Sequence, residues 1–159
     1  MVITVIFILA ALVLAASSYV QNKGARARAE TEIAAMSAAL ESYKADNGIY
    51  PRDATNTDSV DPTLPVPTTA SKYLYEQLSG DTNDDRIPET KSYFTFRPNM
   101  LFPAPPSTGN VTAIRDPFGN PYGYSTAKAA GQAYGNNPTY DLWSTAGDAA
   151  NAQKWIKNW

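Results

Sequence analysis

The sequence contains no cysteine and no histidine among its 159 residues. The first absence excludes disulfides and thiol catalysis, and the second excludes imidazole general-base catalysis; together they exclude most zinc sites. With 13 basic and 15 acidic residues the net charge is −2, which gives no electrostatic support to a nucleic-acid surface. We therefore expect a protein that is not an enzyme and does not bind nucleic acid.

Charge is also missing from the first 20 residues, MVITVIFILAALVLAASSYV. A helix of that length spans roughly 30 Å, the hydrocarbon thickness of a bilayer. The apolar core of a cleaved signal peptide is usually shorter and follows a basic start, whereas nothing basic precedes this run. The segment is therefore predicted to be a retained helix that lies in a membrane or packs against other copies of itself.

The helical pattern continues after the apolar run. Apolar residues recur at Ile33, Met36, Leu40 and Tyr43, steps that place them on one face of a helix. The sequence Asp46-Asn47-Gly48 supplies a stop, because Asn and Gly readily adopt the left-handed conformation that ends helices. The chain thus predicts one uninterrupted helix of about 46 residues, roughly 70 Å long.

The remainder of the chain has the composition of a small domain with long, proline-rich loops. A short helix is expected at about 70–78, capped by Thr69 or Ser71 and ended by Gly80. Alternating or β-rich stretches predict strands at 92–97, Tyr122–Ser125 and Thr139–Trp143. The predicted fold class is α+β, a long N-terminal helix packed on a small antiparallel sheet. Its parts are a hydrophobic transmembrane or filament-core helix (1–24), an amphipathic continuation (25–47) and a globular sheet domain with long loops (48–159).

The stretch DPFGNPY has a structural interpretation of its own. Pro117 and Gly119 favour a turn, and Asp116 can cap it by accepting hydrogen bonds from backbone amides. Because no titratable partner accompanies Asp116 in sequence, we interpret this corner as scaffold rather than as a ligand site.

Two motifs, ALESYKADNGIYP at the end of the long helix and DPFGNPYGY some distance later, resemble those of the type IV pilin superfamily. Together with the hydrophobic N-terminal helix, YDLWS and the terminal NW, they are most similar to the major pseudopilins of type II secretion systems. The resemblance implies a pilin-like fold and a subunit of a helical filament, a type IV pilus or a secretion pseudopilus. It implies the inner membrane as the location before assembly and an extracellular or periplasmic filament afterwards.

Polymerisation is expected to occur through the N-terminal helix, with further copies of the same chain as partners. The small residues of the apolar run permit close helix approach. The residues predicted to pack between subunits are Ile3, Ile6, Phe7, Ala10, Ala11, Leu14, Ala15 and Ser18. The alternative is a monomeric, membrane-anchored binding protein at the surface or in the periplasm. The residues do not distinguish secretion from adhesion, motility or DNA uptake.

The apolar run departs from the family pattern in one respect. In the superfamily it normally begins with an aromatic residue and, a few positions on, a glutamate that neutralises a neighbour's terminal amine. Neither is present at the start of this sequence. The resemblance therefore implies either that residues precede Met1 in the encoded protein or that the subunit is shortened.

A calcium site is the one site chemistry that the residues suggest. In GDTNDDRIPE, residues 80–89, side-chain oxygens recur at Asp81, Asn83 and Asp85, the i, i+2, i+4 spacing by which tight loops surround a calcium ion. Against this interpretation, Arg86 stands where such loops prefer Gly, and Ser92 stands where they place Glu; a solvated acidic turn is the alternative. The predicted ligands are Asp81, Asn83, Asp85 and Glu89, with the carbonyl of Ile87.

The resemblance implies a second calcium position, because pseudopilins hold calcium in the loop after the last strand. Asp148 matches an acidic ligand of that loop, and Leu142 and Ser144 lie where further oxygens would be. The second acidic cluster expected before the terminal NW is absent, which leaves few anionic oxygens for a hard cation.

Overall fold

A computed structural model describes residues 2–64 and 67–159, and for residues 2 and 4–18 it describes the helical backbone alone. The chain is α+β: a long N-terminal helix followed by a second helix and two small antiparallel sheets. The helices are α1 (Val2–Asn47) and α2 (Thr68–Ser79), and a 3-10 turn spans Pro98–Met100. The strands are β1 (Leu101–Phe102), β2 (Ala113–Ile114), β3 (Gly123–Ser125), β4 (Asp141–Ser144) and β5 (Ile156–Lys157).

The first helix confirms the predicted length and stop. α1 runs for 46 residues without interruption. Gly48 follows it with φ +80°, and its amide donates a 2.8 Å hydrogen bond to the carbonyl of Lys44. Among the side chains that the structure describes, no helix combines the length and apolarity needed to cross a membrane.

The second half of α1 packs on the domain through the predicted apolar face. Ala29, Ile33, Met36 and Leu40 are buried. Glu32, a charged residue of the same helix, is also buried. Its carboxylate is tolerated because the domain provides it with hydrogen-bond donors.

The second helix lies where it was predicted, but its N-terminus differs. α2 begins after Pro67, with no side-chain cap. The hydroxyl of Ser71 instead accepts a 2.9 Å hydrogen bond from the amide of Ile114, so it ties α2 to β2. The expected cap at Thr69 or Ser71 was therefore wrong, because tertiary contact uses the Ser71 hydroxyl.

Two of the three predicted strands are confirmed. β3, β4 and β5 form an antiparallel sheet in that order, in which Tyr124 lies opposite Leu142 and Ser144 lies opposite Ile156. β1 and β2 form a separate antiparallel pair. The predicted stretches Tyr122–Ser125 and Thr139–Trp143 therefore supply β3 and β4, whereas β1, β2 and β5 were not predicted.

The predicted strand at 92–97 is absent from the described structure. The amides of Tyr93 and Phe94 both donate to the carbonyl of Leu78, at 2.8 and 2.9 Å, so this backbone closes the end of α2 instead of joining a sheet. The alternation itself is correct for Phe94 and Phe96, which pack on the core, while Thr95 and Arg97 are exposed; Tyr93 also packs on the core. An alternating apolar and polar pattern indicates which side chains of an extended segment are buried. It does not indicate whether a partner strand is present.

One core joins the long helix to the rest of the domain. Its members come from α1, α2 and all five strands or their flanks, and the largest are fully shielded from solvent. They include Met36, Leu40, Leu74, Leu78, Ile114, Tyr122, Tyr124 and Leu142. α1 is consequently part of the domain's core over its second half.

Candidate metal centre

The loop of residues 80–90 leaves the end of α2 and returns to it. Gly80 has φ +76°, and its carbonyl accepts hydrogen bonds from the amides of Glu89 and Thr90, at 2.9 and 3.0 Å. A Cβ at Gly80 would lie 2.7 Å from the carbonyl oxygen of Thr90, so only glycine fits this crossing. The closed loop therefore places residues at its start close to residues at its end.

Three carboxylates converge inside this loop. Asp81, Asp85 and Glu89 each offer one oxygen, and these oxygens all lie within 4.8 Å of one another. A calcium ion binds oxygens at about 2.3–2.6 Å, so a single ion can reach ligands separated by up to about 5 Å. The group therefore has the dimensions of a calcium site and matches three of the four side-chain ligands predicted from sequence.

Asp81 is the buried member of the group. Its side chain is fully shielded, and its Oδ2 accepts hydrogen bonds from the Tyr75 hydroxyl at 2.6 Å and from the Arg86 amide at 2.7 Å. Burial, and next the hydrogen bond to Asp81, raise the pKa of Tyr75 well above its usual value. The Oδ1 of Asp81 is buried without any hydrogen-bond partner.

Asp85 and Glu89 are exposed, and one carboxylate oxygen of each accepts hydrogen bonds from the loop. Asp85 Oδ1 accepts a 2.9 Å hydrogen bond from the amide of Ile87. Glu89 Oε2 accepts from the amide and the hydroxyl of Thr82, at 2.7 and 3.0 Å. These bonds orient both carboxylates while using only one oxygen of each.

Asn83, the fourth predicted side-chain ligand, shapes the turn. Its Oδ1 accepts a 3.0 Å hydrogen bond from the amide of Asp85. Its main-chain carbonyl accepts a 3.2 Å bond from the side-chain amide of Asn110. The carbonyl side-chain oxygen keeps a second lone pair, so the residue remains a possible ligand.

Arg86 does not obstruct the loop, although its position favours glycine in calcium-binding turns. Its φ is +75°, the left-handed conformation that glycine would supply. Its guanidinium turns away and donates to the carbonyls of Pro103, at 2.7 Å, and Gly109, at 3.3 Å. Those anchors hold a backbone conformation that is unfavourable for a side-chain-bearing residue.

Sequence reasoning missed the role of Asp84 in this loop. Asp84 has φ +66°, and its Oδ2 forms a 2.6 Å ion pair with Lys72 of α2. Its carbonyl accepts a 2.8 Å hydrogen bond from the amide of Val111. No periodic signal distinguishes Asp84 from its acidic neighbours; only the fold shows that it ties the loop to α2 and to the segment before β2.

The alternative position at Asp148 has a different environment. Asp148 Oδ2 pairs with the ammonium of Lys154 at 3.0 Å. The Ser144 hydroxyl donates to Asp116 Oδ2 at 2.5 Å, and the carbonyl of Leu142 accepts from the amide of Asn158 at 3.2 Å. A single carboxylate that already has a cationic partner does not suit a hard divalent cation.

The predicted assembly residues lie mostly beyond what the structure describes at side-chain level. Ile3 is 70% exposed. The side chains of Ile6, Phe7, Ala10, Ala11, Leu14, Ala15 and Ser18 lie outside the described set. Their assignment to subunit packing stays a prediction.

No model of a known protein family matches the chain, and no curated protein matches it either.

Proposed function

We propose that the chain is a structural subunit of a helical filament, of the type IV pilus or type II secretion pseudopilus kind, and that its fold is pilin-like. The observation that carries the proposal is that the described side chains of α1 ahead of Ala29 are exposed or half-buried. Tyr19 and Val20 are 61% and 66% exposed, whereas Ala29 is the first residue of α1 known to be buried. The helix begins at Val2, so much of it precedes the part that packs on the domain.

An apolar helix that is not buried in its own domain needs a covering. Burying apolar surface away from water stabilises a protein or an assembly by about 25 cal/mol per Å². The residues ahead of Tyr19 carry no charge. Identical helices from other copies can supply the covering, since Ala10, Ala11 and Ala15 permit close approach of backbones. In this proposal the helix is held in the inner membrane before assembly and then in the filament core.

The globular domain then faces the exterior of an extracellular or periplasmic filament. The sequence lacks cysteine and histidine, which argues against thiol or imidazole catalysis. Its buried polar side chains serve the fold: Ser71 joins α2 to β2, and Asp116 braces a turn. We infer a structural role for the domain and no enzymatic one.

Electron microscopy of sheared surface material tests the proposal directly. The chain is produced in a host with a working pilus or pseudopilus assembly system, as wild type, Ala11→Arg and Ala150→Arg. Ala11→Arg places a charge in the predicted helix interface and should abolish filaments, while Ala150→Arg, in an exposed loop, should leave them intact.

The alternative of a monomeric anchored binding protein gives a different result. In that case wild type forms no filaments under any condition, and both variants remain monomers in the membrane fraction. Filaments that persist in Ala11→Arg would refute assembly through this helix.

A further inference from the structure

We propose that the loop of residues 80–90 is a structural calcium site whose ion is held by Asp81, Asp85 and Glu89. This inference concerns the folded domain and does not depend on filament formation. It rests on two independent observations: the convergence of three carboxylates within 4.8 Å, and a buried, unpartnered oxygen on one of them.

The buried oxygen is the stronger observation. Acidic residues often cluster on surfaces without binding an ion, because water solvates them. Asp81 differs, since its side chain is fully buried and Oδ1 has no hydrogen-bond donor. An unsatisfied buried polar atom costs about 1–3 kcal/mol, and more when the group is charged. A cation bound among the three carboxylates supplies the missing partner.

The neighbouring cations do not take that place. Lys72 pairs with Asp84 at 2.6 Å and with Glu76 at 3.1 Å. The Arg86 guanidinium binds the carbonyls of Pro103 and Gly109. Lys91, just after the loop, pairs with Asp46. These three basic side chains therefore have partners other than Asp81, Asp85 and Glu89.

The donor chemistry favours calcium over magnesium. Calcium accepts six to eight oxygens in flexible geometry, whereas magnesium demands a near-ideal octahedron and retains several waters. The loop offers three carboxylates, and the Asn83 side chain and the Ile87 carbonyl, at alternate positions, can add neutral oxygens. Exposed Asp85 and Glu89 leave a solvent path for the ion to enter and for water to complete its shell.

The ion would hold together three segments of the domain. The loop already contacts the end of α2 through Gly80. It contacts the segment before β2 through Asp84 and Val111, and the segment after β1 through Arg86 and Pro103. Calcium would fix the carboxylates against their mutual repulsion. We therefore expect the folded domain to gain stability with calcium concentration.

Calorimetric titration and thermal unfolding of the full chain in detergent, after removal of metal with EDTA, test the site. Wild type should bind one calcium per chain, with a melting temperature that rises with calcium concentration and responds little to magnesium. Asp85→Asn and Glu89→Gln keep their hydrogen-bond acceptors and remove charge, so they should fold yet bind calcium at least about tenfold more weakly.

Asp148→Asn is the matched control, because it removes one carboxylate at the alternative position. It should bind calcium as wild type does. The proposal is overturned if wild type neither binds calcium nor gains stability from it. It is equally overturned if binding disappears in Asp148→Asn and persists in Asp85→Asn. Circular dichroism of each metal-free variant establishes that the fold is retained.

Discussion

The hydroxyl of Tyr122 donates a 2.8 Å hydrogen bond to Oε2 of Glu32, which joins the middle of α1 to the residue before β3. Arg97 binds the other oxygen of the same carboxylate at 3.1 Å. The Glu32 side chain is only 5% exposed, whereas that of Arg97 is 62% exposed. A buried acid on the long helix is thus held mainly by a buried phenol.

This arrangement predicts a pH dependence of stability. Burial raises the pKa of Glu32 above its usual 4.5, although the Tyr122 hydrogen bond and the Arg97 charge oppose the shift. Above pH 4.5 Glu32 therefore holds its proton more strongly in the folded protein than in the unfolded chain, so its contribution to the free energy of unfolding falls as pH rises through the folded pKa. Glu32→Gln should flatten that fall, as measured by urea unfolding between pH 4.5 and about 7.

Glu30→Gln is the control for this measurement, because Glu30 lies exposed on the same helix. Its slope should equal that of wild type. Some pH dependence of stability should remain in both Glu32→Gln and Glu30→Gln, because burial also raises the pKa of Asp116. Identical slopes for Glu32→Gln and wild type would show that Glu32 does not titrate differently in the folded state.

Asp116 braces the DPFGNPY corner, as the sequence predicted. Its Oδ1 accepts from the amides of Phe118 and Asn120, at 3.0 and 2.8 Å, and its Oδ2 accepts from the Ser144 hydroxyl. Asp116→Ala leaves these donors without a partner in a buried site and should lower the free energy of unfolding by about 2–4 kcal/mol. Chemical denaturation measures the loss.

Asp61→Ala provides the comparison for Asp116→Ala. Asp61 Oδ1 also accepts from a backbone amide two residues on, that of Thr63, but this turn is open to water. Water can replace the lost acceptor, so the cost should stay below about 1 kcal/mol. Equal losses in the two variants would contradict the importance of the buried corner.

Gly123 of β3 leaves room for the indole ring of Trp143 of β4. A Cβ at Gly123 would fall 2.1 Å from Cε2 of the Trp143 ring, which is fully buried and opposite in register. Gly123→Ala must displace the indole and should cost about 1–3 kcal/mol or more. Gly109→Ala meets only ordinary contacts, the nearest at 3.7 Å, and should be near neutral in the same thermal unfolding assay.

Leu40 tests whether the second half of α1 belongs to the domain's core. It is fully buried among residues of the sheet and α2. Leu40→Ala should lower the free energy of unfolding by about 2–5 kcal/mol, because it leaves a cavity. Ile49→Ala, at a side chain that is 59% exposed, should change it by less than about 0.5 kcal/mol. A small effect at Leu40 would mean that α1 is only loosely attached.

The sequence by itself determined the long helix, its stop at Gly48, its buried face and the strands β3 and β4. These features follow from local physics: a 3.6-residue apolar period, a glycine that accepts positive φ, and a proline-bounded turn. It also predicted that the carboxylates of Asp81, Asp85 and Glu89 lie close together, as they do.

Only the tertiary structure decided the rest. Residues 92–97 hydrogen-bond to the end of α2 instead of forming a strand. Glu32 is buried, and the Ser71 hydroxyl bonds to β2 instead of capping α2. Each outcome depends on a partner distant in sequence, which no local period encodes. For the same reason, only the fold shows that Asp81 Oδ1 is buried without a donor while Arg86 binds elsewhere.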